Sequence, residues 1–200
     1  MRLIGLTGGI ATGKTTVSRI IQDFFGIPVI NVDDVSRIVT QKGSLPLSQI
    51  VFYFGDEALN QDGTLNRAFM RSRIISSEND RKILEGIVVP AILDYVERTI
   101  QDLESQGNEI IIVENALMFE QNTYQNYQEI IVVTCDPIIQ LQRVMKRDGA
   151  TEESANGIIK LQYPLAKKES LANYVIYNNR EVDSLESQII NVWSKIQEKE

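Results

Sequence analysis

Gly8-Gly9-Ile10-Ala11-Thr12-Gly13-Lys14-Thr15 stands near the start of a chain of 200 residues and satisfies the phosphate-loop pattern G-x-x-x-x-G-K-[ST]. The pattern asks for a strand before it and a helix after it, and both are legible. An apolar run at residues 3–6 precedes it, and Val17, Ile20, Ile21, Phe24 and Phe25 recur at helical spacing behind it. Glycines let the backbone curl so that successive N–H groups face an anion, and the helix N-terminus adds its partial positive charge. A glycine turn that merely caps a helix needs neither Lys14 nor Thr15. Gly8, Gly9, Ile10, Ala11, Thr12, Gly13, Lys14, Thr15 and Thr16 are therefore the expected ATP-binding residues. Lys14 is expected to reach the β- and γ-phosphates as a catalytic group, and Thr15 to hold Mg²⁺.

Outward from this loop, short β-branched runs at residues 27–30, 109–113, 129–134 and 174–176 alternate with helical patterns. Continuous apolar strands separated by helices predict an α/β fold, a doubly wound parallel sheet of five strands with helices on both faces. About 80 residues separate the second run from the third, far more than one crossover helix requires. The expected layout is a single domain. Its core covers about 1–33, 105–147 and 170–200, with a helical, acceptor-binding insertion at about 34–104 and a short helical lid at about 148–168. Within the insertion, residues 45–54 and 65–75 read as helices separated by an Asp62-Gly63 turn. Ser77 with Asp80 opens a long helix with one buried face and a kink near Gly86 imposed by Pro90. Thr151 reads as a helix start, and Asp183 with Glu186 as the opening of a final helix.

Composition removes whole classes of chemistry. There is no histidine, so an imidazole base, a Ser-His or Cys-His pair and a His-ligated zinc are excluded. The single cysteine, Cys135, cannot form an internal disulfide and reads as a small apolar residue at a strand end in a reducing compartment. A net charge of −7 argues against nucleic acid and anionic membranes as partners. The glycine-rich turn comes too early for a signal peptide, so the expected location is cytoplasmic. The expected partner is a small-molecule substrate, and the expected state a monomer or weak oligomer.

A phosphate loop defines the donor and leaves switch, motor and kinase open. No Asn-Lys-x-Asp base reader exists here, and motors need more chain, so a kinase of small metabolites is the expectation. The second run leads into Asn31-Val32-Asp33-Asp34, at the carboxyl end of a strand, where ligands bind in open α/β sheets. Asp33 is the candidate catalytic base, able to take a hydroxyl proton or to hold Mg²⁺ through water, and Asp34 reads as the N-cap of a helix over residues 35–40. Arg143 and Arg147 share one helix face, in a stretch from 143 to 168 that carries six bases against three acids. An arginine beside a transferring phosphoryl group contributes about 10³ to 10⁵ in rate. The basic stretch is expected to cover nucleotide phosphates.

Taken in order, these residues resemble the dephospho-coenzyme A kinase family. Its T-G-G-I-x-[ST]-G-K-[ST] is matched by residues 7–15, its D-G-x-L-x-R by Asp62 to Arg67, and its Q-x-x-R-x-x-x-R by Gln140, Arg143 and Arg147. Its lid Q-x5-K is matched by Gln162 and Lys168, and its closing V-I-x-N by Val175 to Asn178. The resemblance implies a P-loop kinase, the transferase that moves the γ-phosphoryl of ATP to the 3′-hydroxyl of dephospho-coenzyme A in the last step of coenzyme A biosynthesis. It further implies Asp33 as base, Arg143 as a catalytic lid or nucleotide contact, and Arg147 and Asn178 on the nucleotide, Asn178 near the adenine. Arg37, Arg67 and Glu120 fall, with Asp33, on the substrate side. The chain departs from the family at Asn31 (acid), Val89 (a histidine expected to be buried), Glu114 (aspartate), Ala116 (proline) and Asn173 (aspartate). A kinase of another small acceptor, nucleoside monophosphate-like, and a degenerate, non-catalytic nucleotide-binding module are the alternatives.

Overall fold

A computed structural model describes residues 1–179 and 182–198, except for the side chains of residues 182 and 183, so the Asp183 helix start lies outside the described residues. The chain forms two compact units, one of residues 1–30 and 103–200 and one of residues 31–102. In order, the elements are β1 (Arg2–Gly8), α1 (Lys14–Phe25), β2 (Val29–Asn31), α2 (Val32–Val39), α3 (Leu45–Phe54), α4 (Arg67–Ser76), α5 (Glu78–Ser105) and β3 (Ile110–Glu114). β4 (Glu129–Thr134), α6 (Pro137–Asp148), α7 (Glu152–Lys160), α8 (Leu165–Ser170), β5 (Tyr174–Tyr177) and α9 (Val182–Gln197) follow. No helix among the described residues is long and apolar enough to cross a membrane.

The five strands form one parallel sheet in the order β2-β3-β1-β4-β5, as the run-and-helix alternation predicts. β1 lies in the middle, with Ile4 opposite Ile112 on β3 and opposite Glu129 on β4. Every residue of β3 and β4 is buried, which is why those segments read as unbroken apolar runs. Because the chain goes from β1 to one side of the sheet and later crosses to the other, the carboxyl end of β1 is the switch point where a crevice opens.

One sheet face packs Ile4, Leu6, Ile112, Ile131 and Val133 against Val17 and Ile21 of α1 and Leu185, Ile189, Trp193 and Ile196 of α9. Phe25 stacks on Trp193 at 5.1 Å, tying the end of α1 to the last helix. Each fully buried aliphatic side chain contributes about 1.5–3 kcal/mol relative to exposure, so this seam is a main source of stability. The opposite face is covered by Met118, Phe119, Ile130 and Val132. The buried carboxylate of Glu129 is satisfied at both oxygens, by Arg2 Nη2 at 2.7 Å and by the Tyr174 hydroxyl at 2.9 Å.

In the second unit, Ile50, Ala58 and Met70 form a small core with Phe54, Phe69, Leu84, Ile87 and Val88 around it. α3 has the predicted bounds, and Ser44 caps it by accepting from the Leu47 N–H. α4 starts later than the expected residue 65, because Leu65 bridges Leu59 in a short antiparallel contact and Asn66 takes the N-cap. α5 begins after Ser77, whose hydroxyl accepts from the Asp80 N–H, and runs through Pro90 as one continuous helix. None of its residues is fully buried, so the expected buried face is only half-covered. Val89 is 37% exposed, and its replacement of a family histidine therefore leaves no buried hydrogen bond unmade.

Gly5 has no room for a side chain. A Cβ there would lie 2.7 Å from Met118 Sδ. Gly5→Ala is expected to destabilise the protein by about 1–3 kcal/mol through overpacking. Chemical denaturation checks it, the expected result being a lower midpoint at unchanged slope.

Candidate functional site

The loop between β1 and α1 turns its backbone through two left-handed residues, Ala11 (φ 58°) and Gly13 (φ 94°). The second has to be glycine, since a Cβ there would collide with the Asn178 amide. A loop that presents N–H groups to an anion turns carbonyls outward, and buried carbonyls need donors. Here nearly all of them find one. Gly9 O accepts from Lys14 Nζ and from the Thr12 hydroxyl, both at 2.9 Å. Ile10 O accepts from Gln140 Nε2 at 2.9 Å, Thr12 O from Asn178 Nδ2 at 2.8 Å, and Gly8 O from Lys168 Nζ at 3.4 Å. Gly13 O starts the ladder of α1 by accepting from the Thr16 and Val17 N–H groups.

At the foot of the loop, the Thr15 hydroxyl donates to Glu114 Oε1 at 2.9 Å, and the Ser18 hydroxyl donates to Glu114 Oε2 at 2.8 Å. Glu114 ends β3, beside β1, and is 4% exposed. In the sequence it stands out only as a departure from the family aspartate. The signal that could have found it is an acid closing an otherwise apolar run next to the strand that carries the loop. One carboxylate with two hydroxyls is an all-oxygen donor set, which suits Mg²⁺ held partly by substrate phosphates. Among the described residues no group of three or more acidic, histidine or cysteine side chains forms a dedicated metal cage.

The basic stretch does not act as one surface. Lys168 is completely buried, donating to Ala116 O at 2.8 Å and to Glu120 Oε1 at 2.9 Å. Burial lowers its pKa, with the Glu120 hydrogen bond and charge opposing. It is therefore an interior strut and not a cover for phosphates. Glu120, expected on the substrate side, also accepts from the Tyr163 N–H at 2.7 Å. Its second oxygen, Oε2, is buried with no hydrogen-bond partner among the described residues. Arg147 is half exposed and pairs with the adjacent Asp148 at 2.8 Å. Arg143 differs. Its Nη1 is buried with no hydrogen-bond partner among the described residues, an arrangement suited to an arriving anion. The guanidinium also lies close to the Cys135 thiol, which burial pushes up and Arg143 partly draws back. Cys135 is buried just past β4, as expected of a small apolar residue.

Asn178, expected near the adenine, makes its hydrogen bond to the loop itself, at Thr12 O. Ile10, expected to offer its N–H to ATP, has that N–H engaged by Gln162 Oε1 at 2.7 Å.

In the second unit, the helix start differs from expectation. α2 begins at Val32, and its N-cap is Asn31, whose side-chain oxygen accepts from the N–H groups of Asp33 and Asp34. Asn and Asp cap about equally well, so Asn31 is as suited as an acid to this helix start. Asp34 is thus not the cap. It is in the first turn with Asp33, both exposed, and at 3.7 Å from Arg37. Arg67 donates to the Thr40 hydroxyl at 2.9 Å, and its pKa is lowered by burial first and by the nearby Arg37 cation second.

Against this geometry the comparisons fall on one family. A dephospho-CoA kinase family model matches residues 2–184. A dephospho-CoA kinase from Halalkalibacterium halodurans is 34% identical over 199 residues, covering 98% of each chain. One from Listeria innocua is 36% identical over 94% of each chain, and one from Arabidopsis thaliana is 37% identical over 98% of this chain and 84% of that one. Among solved structures, a Thermus thermophilus protein superposes with a TM-score of 0.83 at 22% identity over 97% of this chain and 96% of that one. A dephospho-CoA kinase from Campylobacter jejuni gives 0.72 at 24% identity over 98% of each. A shikimate kinase from Acinetobacter baumannii shares the fold more distantly, with a TM-score of 0.54 at 16% identity over 100% of this chain and 95% of that one. With its phosphate loop braced from four other segments and matching relatives over nearly its whole length, the chain belongs to the dephospho-CoA kinase family.

Proposed function

We propose that the protein transfers the γ-phosphoryl group of ATP to the 3′-hydroxyl of dephospho-coenzyme A, with Mg²⁺ as cofactor. The observation that carries the reading is the Thr15–Glu114 hydrogen bond at the foot of the braced loop, a hydroxyl and a carboxylate fitted to a hard cation. The acceptor half rests on family membership and on the Arg37 and Arg67 cations of the second unit, which suit the phosphates of such an acceptor.

Loop N–H groups and Lys14 hold the donor phosphates, and Thr15 and Glu114 are the residues that would hold Mg²⁺, whose chemistry when bound would be to neutralise phosphate charge. Asp33, in the first turn of the helix that follows β2, accepts the hydroxyl proton. A bond forms between the acceptor oxygen and the γ-phosphorus while the bond to the β–γ bridging oxygen breaks, leaving ADP. Arg143 meets the charge on the transferring group with its unpartnered Nη1. Arg147 adds to the nucleotide side, and Asn178 serves it through the loop.

The departures from the family pattern do not favour a non-catalytic module. Asn31 still caps α2, Glu114 still accepts from Thr15, and Asn173 still accepts the Ile130 N–H at 2.8 Å. A cytoplasmic location and a monomer or weak oligomer complete the reading.

ADP release from ATP and Mg²⁺ is expected with dephospho-coenzyme A and not with nucleoside monophosphates or shikimate. Release with one of those alone would overturn the acceptor assignment. Asp33→Asn is expected to reduce turnover by about 10² to 10⁴ while nucleotide binding persists, and turnover within a few-fold of wild type would remove Asp33 from the mechanism. Glu114→Gln is expected to raise the Mg²⁺ concentration needed for half-maximal rate about tenfold at saturating ATP, as a titration of rate against Mg²⁺ would show.

A further inference from the structure

Ile10 is held at both of its backbone polar groups, which belong to the successive Gly9–Ile10 and Ile10–Ala11 peptides. Its N–H donates to Gln162 Oε1 at 2.7 Å, and its carbonyl accepts from Gln140 Nε2 at 2.9 Å. Gln140 is on α6 and 4% exposed, while Gln162 is in the link between α7 and α8 and is half-buried. The same link continues into Leu165 and Lys168. A Cβ on Gly9 would come within 2.8 Å of Leu165 Cδ2, so this segment packs directly on the loop. Lys168, fully buried, pins it by donating to Ala116 O, to Glu120 Oε1 and to Gly8 O. Residues 162–168 thus touch the phosphate loop at three successive positions, 8, 9 and 10, while no other described contact fixes the Ile10 N–H.

We infer that Gln162 is a positioning residue for the donor site. Held in place by Lys168, it orients the Gly9–Ile10 peptide through the Ile10 N–H and thereby sets the shape in which the following loop N–H groups meet the donor phosphates. This rests on the reading of the loop as the ATP site, and it adds a residue of the lid's root that acts through the backbone without touching nucleotide. The Gly9–Ile10 peptide is held at its carbonyl by Lys14 and the Thr12 hydroxyl and at its N–H by Gln162. With Gln162 replaced, the N–H loses its acceptor and the peptide is fixed from the carbonyl side alone, so the loop samples shapes that fit a phosphate less well.

Gln162→Met keeps the length and removes the acceptor, at a half-exposed position where folding is not at risk. It is expected to weaken binding of a non-hydrolysable ATP analogue, measured by calorimetry without acceptor, about fivefold to tenfold. The KM for ATP is expected to rise in parallel, with kcat and the KM for dephospho-coenzyme A within about twofold and the melting temperature within about 2 °C of wild type. Because the two glutamines hold the adjoining peptides on either side of the Ile10 Cα, Gln140→Met combined with Gln162→Met is expected to cost less than the product of the two single losses. Analogue affinity unchanged in Gln162→Met overturns the inference, as does an equal loss for both substrates accompanied by a fall in melting temperature. If dephospho-coenzyme A elicits no ADP release from wild type while Gln162→Met still loses analogue affinity, the acceptor assignment fails and the positioning role stands.

Discussion

A phosphate loop can show N–H groups to an anion only if its carbonyls point the other way, into the protein, where each needs a donor. This constraint organises the site. Lys168 serves Gly8, Lys14 and Thr12 serve Gly9, Gln140 serves Ile10, and Asn178 serves Thr12. The donors come from the loop itself, α6, α8 and the end of β5, so the parallel sheet and its crossover helices have to be assembled before the loop has a shape. It also explains amides and an amine at places that face the interior, where an apolar residue would leave a carbonyl unsatisfied at a cost of about 1–3 kcal/mol.

The buried Lys168–Glu120 pair follows the same logic at higher energy. Two charges leave water, and what offsets that is the number of partners: Lys168 has three acceptors, and Glu120 takes the Tyr163 N–H as well. A hydrophobic pair of equal volume could pack there, but it could not hold the Ala116 and Gly8 carbonyls or link α8 to the segment after β3.

The positions at which the chain departs from the family pattern each have a hydrogen-bond role in this fold. Asn31 caps α2, Glu114 accepts from Thr15, and Asn173 accepts from a strand N–H. At Ala116 only the carbonyl is used, by Lys168, and a backbone acceptor is indifferent to the side chain. Val89 is on an exposed face of α5, where a change of residue costs little.

Local periodicity and turn and cap chemistry suffice for the parallel α/β sheet, the five strand positions to within a residue or two, the phosphate loop, a helix at residues 45–54 and a helix start at Thr151. The sequence misplaces the α2 cap, since three polar residues within four positions, Asn31, Asp33 and Asp34, all suit a helix start, and only the backbone path chooses among them. It read Arg143, Arg147 and Lys168 as one basic cover. Tertiary structure separated them into a buried arginine with an unpartnered nitrogen, a surface ion pair and an interior strut. Glu114 beside Thr15, Gln162 on Ile10 and Asn178 on Thr12 join positions about 100 to 170 residues apart. Side-chain partners at such separations are decided by how the sheet brings strand ends together, and a linear pattern carries no record of that.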